Sequence, residues 1–191
     1  MRDYACLALG TQWRDVDSPE LRSALADRLD DPDRDTGHEA LLGLAYRGDA
    51  RALPRVRAAL SRPDGDLFSL ELTAAGALAD PSLHQLLLEH QDGWDDTTTV
   101  IAEAALRLSD PAGPGDDVLA GVAELYRRRA GGRPEGDAIL AWHTLDAMLD
   151  LVPTRAPGYF DAVLALLVDD PAAAQELRSN SALAQLAAVG D

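Results

Sequence analysis

The chain has 191 residues, 47% of them hydrophobic and 26% charged, with a formal net charge of −16. That hydrophobic share excludes a disordered chain and suffices for one sizeable core or a short repeat array. The negative charge repels a phosphate backbone, so nucleic acid is excluded as a partner unless the few basic residues are strongly segregated.

Arg2 to about Gln12 reads as a first helix, with Tyr4, Ala5, Ala8 and Leu9 on one broad inner face. Cys6 is the only cysteine, which excludes an intrachain disulfide. Lodged between Ala5 and Leu7, it reads as a small core filler rather than a nucleophile. Ser18-Pro19-Glu20 is a start signal, with an N-cap, a proline at the first helical position and an early acid. Leu21, Leu25, Arg28 and Leu29 continue that helix.

Thr36-Gly37-His38-Glu39 has the spacing of a capping box, which predicts a solvated His38 and an inner face of Ala40, Leu41, Leu44 and Ala45. Gly48-Asp49 turns the chain into a partner helix with Leu53, Val56 and Leu60, whose first turn is expected to be irregular until Pro54. The next helix is predicted over about Asp66 to Ala79, with a turn at Asp80-Pro81 and a return through Leu83, Leu86 and Leu87. Another runs from about Thr97 to Leu108, crosses residues 110–115 and returns through Val118, Val122 and Leu125. Arginines 127 to 129 end that helix, where positive charge complements the dipole, and lead into a loop with Arg133. Ile139 to Val152 and Tyr159 to Leu167 form a further pair. A last helix from about Pro171 carries Leu177, Leu183 and Leu186 and is broken near Ser179-Asn180-Ser181.

Strand signals are almost absent. Asp residues gather between the helices (Asp15, Asp17, Asp31, Asp49, Asp80, Asp95, Asp96, Asp110 and Asp170), where an acid accepts backbone N–H bonds. All 17 basic residues are Arg, with no Lys, one Asn (Asn180) and two Ile (Ile101 and Ile139), a usage that points to a GC-rich bacterial genome. No apolar run approaches the ~20 residues that span a bilayer, and no signal-peptide pattern opens the chain. These features read as a cytoplasmic protein without a membrane partner.

Five segments share a tetrad: Ala5/Leu9, Ala40/Leu44, Ala74/Leu78, Ala104/Leu108 and Ala141/Leu145, their alanines 35, 34, 30 and 37 residues apart. Such a period marks stacked helical hairpins, because one hairpin cannot bury its apolar face alone. The fold expected is an all-α solenoid in one domain, 1–191, of five hairpins (about 2–30, 35–62, 66–92, 96–130 and 135–169) and a terminal helix (171–189).

Residues 39–49 (EALLGLAYRGD) followed by Arg51-Ala52-Leu53-Pro54, and residues 73–81 (TAAGALADP), carry a family likeness, which residues 2–10 (RDYACLALG) share. On these segments the chain resembles the HEAT-repeat superfamily, in particular the short bacterial HEAT-like repeats related to those of phycobilisome lyases. The likeness covers about residues 2–110 and weakens beyond. It implies a right-handed α-α superhelix that binds another protein along its concave face. The first segment resembles an internal repeat, which implies that further repeats precede it in the protein or its ancestor. Two other activities of the superfamily fit poorly: DNA glycosylases need a basic groove, and no bilin pocket is recognisable.

No phosphate loop, nucleophile elbow or metal-binding spacing occurs, so no catalytic residue, metal or cofactor is assigned. His84 and His90 are six apart and on different helix faces; His90 is expected to meet a backbone carbonyl at a helix end. His143 and Asp146 suit a local hydrogen bond. Trp13 and Trp94 fall at hairpin ends and Trp142 within a helix, all three read as interhairpin packing. Aligning the second helices nominates Arg55, Gln85, Leu88 and Glu89 as protein-binding residues. The function expected is a non-enzymatic adaptor for a protein partner, whose basic segment the acidic surface favours. The alternative is a small-molecule-binding or lyase-like protein with a pocket near hairpins three to five, lined by His84, His143 or Trp142. An exposed apolar face beside Tyr4, Leu7 and Trp13 would point to a homo-oligomer through the N-terminal hairpin.

Overall fold

The computed structural model describes residues 2–63, 67–90, 99–113 and 115–189, and every regular element among them is helical. The expected openings at Asp66 and Thr97, together with Trp94, Asp95 and Asp96, lie outside the described residues. The helices group into two compact units, Met1–Pro111 and Ala112–Asp191. The expected fourth hairpin thus has its first helix in one unit and its second in the other.

In the first unit, α1 (Arg2–Cys6) runs into a π-helical turn over Leu7–Gln12. Then come α2 (Pro19–Ala26), α3 (Arg34–Tyr46), α4 (Ala52–Leu60) and α5 (Ser69–Leu78). A 3₁₀ turn, Pro81–Leu83, leads into α6 (His84–Glu89), and α7 spans Thr99–Ser109. Local chemistry sets several starts. The Ser18 hydroxyl accepts from the Leu21 N–H at 3.1 Å, with Pro19 in the first position. Asp80 accepts from the Ser82 N–H at 2.8 Å.

Two expected starts are corrected. Asp33, not Thr36, caps α3: its carboxylate accepts from the Thr36 N–H at 3.1 Å, so the helix begins at Arg34 and Thr36 is buried inside it. Helix α4 is regular from Ala52, two residues before Pro54. Proline falls in the first turn, where a backbone N–H has no intrahelical acceptor to lose.

The first helices pack in chain order: the π-helical turn on α3, α3 on α5, and α5 on α7. Helix α2 lies on α3, α4 on α3 and α5, and α6 on α7 and α4. Leu41, Leu44, Val56, Leu72, Leu83 and Leu87 fill the space between them. The first tetrad does not join this core. Ala5 is exposed and Tyr4 and Leu9 stand 74% and 37% exposed, while Cys6 and Gly10 are buried. The cause is a backbone contact: a Cβ added at Gly43 would lie 2.6 Å from the Gly10 Cα. Only two glycines permit this approach, so the first helix turns Gly10 toward α3 and carries Cys6, one turn earlier, inward with it.

The second unit holds α8 (Asp116–Ala130), α9 (Ala138–Leu151), α10 (Ala156–Leu166), α11 (Pro171–Asn180) and α12 (Ala182–Val189). Pro171 opens α11 behind the Asp170 cap, and Ser181 breaks the terminal helix, both as expected. Arg127, Arg128 and Arg129 occupy the last turn of α8 as predicted. The packing order differs from the first unit. Helix α8 is central and meets α9, α10 and α11, so α9 and α10 each pack on α8 more than on one another. Gly121 lets α9 approach closely: a Cβ there would fall 2.5 Å from the Ala141 Cβ. Leu125, Tyr126, Leu145, Met148, Leu167, Leu177 and Leu183 form the buried centre.

Candidate functional site

The first unit contains an open cleft of about 400 Å³ between the end of α2, the start of α3, α4 and the start of α5. Its apolar floor is Leu29, Leu41, Ala58 and Ala59, and its polar walls are Arg34, His38, Arg55, Arg62, Asp31 and Glu71. Phe68, just before α5, organises one wall. The Arg34 guanidinium carbon lies 3.5 Å from its ring centroid, Arg62 lies 5.7 Å from it, and the His38 ring centroid lies 4.9 Å away.

Glu71 is the buried acid of this wall. Its carboxylate takes a bidentate pair from Arg62, one arm at 2.8 Å, and accepts the Phe68 N–H at 3.0 Å. The same bond gives α5 its start, a capping interaction supplied from the third helical position although Phe68 has no capping side chain. Burial by itself would raise the Glu71 carboxyl, but the Arg62 and Phe68 hydrogen bonds outweigh it and hold the group below the usual glutamate range. His38 moves the opposite way from a solvated histidine. Burial lowers its pKa against the pull of Glu71, 3.5 Å away, and Arg34 and Arg62 lower it further. The solvated His38 expected from sequence is therefore corrected: the residue is half-buried against Phe68.

Of the four residues nominated from sequence, Arg55 lines this cleft and donates to Asp30. Gln85, Leu88 and Glu89 stand exposed on α6, where Gln85 Nε2 donates to Glu89 at 3.4 Å, and none of the three lines the cleft. Arg34, Arg62, Phe68 and Glu71 were not read as site residues. The one signal in the sequence was the i, i+3 step from Phe68 to Glu71, hidden because an apolar residue stood at the cap.

The other candidates resolve as local structure. His90 Nε2 meets the Leu60 carbonyl at 2.6 Å, the helix-end arrangement expected for it. His84 Nδ1 lies 3.2 Å from the Leu106 carbonyl and 3.3 Å from Ser109 Oγ. His143 and Asp146 are both exposed, and no hydrogen bond joins them. Trp13, expected to pack, is 59% exposed instead, and Tyr4, Leu9 and Val16 are exposed as well, whereas Trp142 is half-buried. Arg127 donates to the Leu166 carbonyl at 2.7 Å, and Arg128 and Arg129 pair with Glu124 and Glu135. No cluster able to hold a metal ion occurs among the described residues, and no helix among them is long and apolar enough to cross a membrane. Compared with known proteins, the chain matches no family model, no curated protein and no solved structure.

Proposed function

We propose that this protein is a non-enzymatic interaction module of the HEAT-like type, which presents rigid helices of its first unit to a partner protein. The observation that carries the reading is the state of the titratable groups in the cleft. Both oxygens of Glu71 are engaged by Arg62 and Phe68, and His38 packs against the Phe68 ring with its Nε2 turned to the Glu71 carboxylate, 3.5 Å away. A general acid or base needs a free lone pair or proton within reach of substrate. Groups locked onto one another build a surface instead. The chain-order packing of α3, α5 and α7 supports the solenoid reading of this unit, and the exposed set Arg55, Gln85, Leu88 and Glu89 extends the available surface onto α4 and α6.

The test is affinity capture of the full chain from its native host, followed by hydrogen exchange of the recovered complex. A stoichiometric protein that protects α3 to α6 is the expected result. Recovery of chaperones alone, with a metabolite screen yielding a stoichiometric small molecule, overturns the proposal.

A further inference from the structure

We infer that the α2–α5 cleft receives an acidic segment of the partner protein, a carboxylate side chain flanked by apolar residues, with Arg34 and Arg55 as its direct contacts. The inference rests on the interaction role proposed above and assigns the chemistry of the partner at that site.

The acids of the cleft are already engaged. Asp31 accepts the Asp33 N–H at 3.1 Å and meets Arg28 at 3.4 Å, and its side chain is 1% exposed. Glu71 is closed by Arg62 and Phe68. Of the bases, Arg62 is matched by Glu71, whereas Arg34 and Arg55 are not matched in the same way. Arg34 finds no carboxylate among the described residues; its guanidinium lies over the Phe68 ring. Stacking uses the face of a guanidinium and leaves the N–H donors at its edge free, the edge that pairs with a carboxylate. Among the described residues Arg55 pairs with Asp30 alone, which is 78% exposed, and a pair that open is readily exchanged for a better-placed acid.

The position of Arg34 adds a second reason. It is the first residue of α3, where the helix dipole favours an acid and disfavours a cation. In a chain of net charge −16, a cation set against the dipole, held by an aromatic ring and facing a cleft, is local complementarity to an anion. The floor of Leu29, Leu41, Ala58 and Ala59 then calls for apolar side chains beside that anion, which an inorganic ion lacks. This local chemistry is opposite to the basic partner segment that the net charge alone suggests.

The test uses the full chain and four fluorescein-labelled hexapeptides: Glu alternating with Leu, its Gln-for-Glu and Lys-for-Glu counterparts, and Glu alternating with Ser. The Glu/Leu peptide is expected to bind, and to weaken about tenfold between about 50 and 500 mM NaCl. Arg34→Gln and Arg55→Gln, both at exposed positions, are each expected to weaken it by about tenfold or more, as are the Gln and Lys peptides. Equal binding of the Gln or Lys peptide, indifference to both arginine substitutions, or no binding by any peptide overturns the inference. Equal binding of the Glu/Ser peptide, with full displacement by sodium sulfate, makes the cleft a simple anion site and overturns the peptide assignment. A captured partner whose exchange footprint lies on α6 and away from the cleft leaves the interaction role standing while this inference fails.

Discussion

Arg47 shows how one side chain holds the first helix in place. Its guanidinium donates to the carbonyls of Leu9, Gly10, Trp13, Val16 and Gly43, at distances from 2.7 to 3.1 Å, and its side chain is 1% exposed. All but the Gly43 carbonyl, which belongs to α3, are carbonyls of the π-helical turn and the loop after it, which have few intrahelical donors left. Only a planar fork with five donors reaches so many acceptors at once. Arg47→Lys is therefore expected to cost about 2–4 kcal/mol in urea unfolding and to raise hydrogen exchange over residues 2–16; unchanged exchange there would refute the clamp. The pH dependence belongs to the same scale. Burial keeps the folded pKa of His38 below that of the unfolded chain, so the unfolded state binds the extra proton and stability falls below about pH 6.5. Glu71 and Asp49 are both depressed, Asp49 to about 2 by its Arg51 hydrogen bonds, so a second loss begins near pH 4 as unfolded carboxylates protonate. Urea midpoints measured against pH should show both limbs. His38→Gln should flatten the upper one, and Glu71→Gln should lower stability at pH 7 by about 2–3 kcal/mol, because Arg62 loses its acid. Ala79 caps α5 in the left-handed region, at φ 48°. Ala79→Gly should relieve that strain and raise stability by about 0.5–1 kcal/mol in a thermal melt, a gain that an unstrained position would not show.

At the scale of elements, small residues decide which helices touch and how. Gly10 and Gly43 bring two backbones together, and Gly121 does the same for α8 against Ala141 of α9. Gly43→Ala places a Cβ 2.6 Å from a backbone atom that has no side chain to swing aside. The expected cost is about 2–3 kcal/mol with displacement of the first helix, read as faster labelling of the otherwise buried Cys6 thiol in native buffer. A stable variant with a protected thiol would mean that the contact is looser than drawn. Many starts and stops were legible from sequence because each depends on neighbours two or three residues away, as at Ser18, Asp80, Asp170 and Ser181, though the starts of α3 and α4 were not. The face of the first helix was not, since its rotation answers to Gly43 more than 30 positions on. The π-helical turn compounds this: the Trp13 N–H bonds to the Ala8 carbonyl at 2.9 Å, a wider spacing than the α-helical period assumes.

For the whole molecule, 33 acids against 17 arginines leave charge that local pairing does not cancel. Many acids have structural partners, such as Asp17 with Arg22, Asp49 with Arg51 and Glu103 with Arg107. The remainder repels itself in the folded chain. Raising NaCl from about 0.02 to 0.5 M should therefore lift the thermal midpoint by about 2–5 °C, and a falling midpoint would show instead that ion pairs dominate. The division into two units also belongs here. The tetrad recurs at Ala141 and Leu145, yet Ala141 serves in the close approach to Gly121, while α9 and α10 gather on α8.

Residue order by itself determined the helical class and many helix boundaries, because caps, turns and the helical period act over a few residues. Only tertiary structure decided the rotation of the first helix, the gathering of the second unit about α8, and the cleft that joins Arg34, Arg55, Arg62, Phe68 and Glu71. Those features depend on which side chains meet across distances in sequence that no local period encodes, and at each of them packing overrode the pattern.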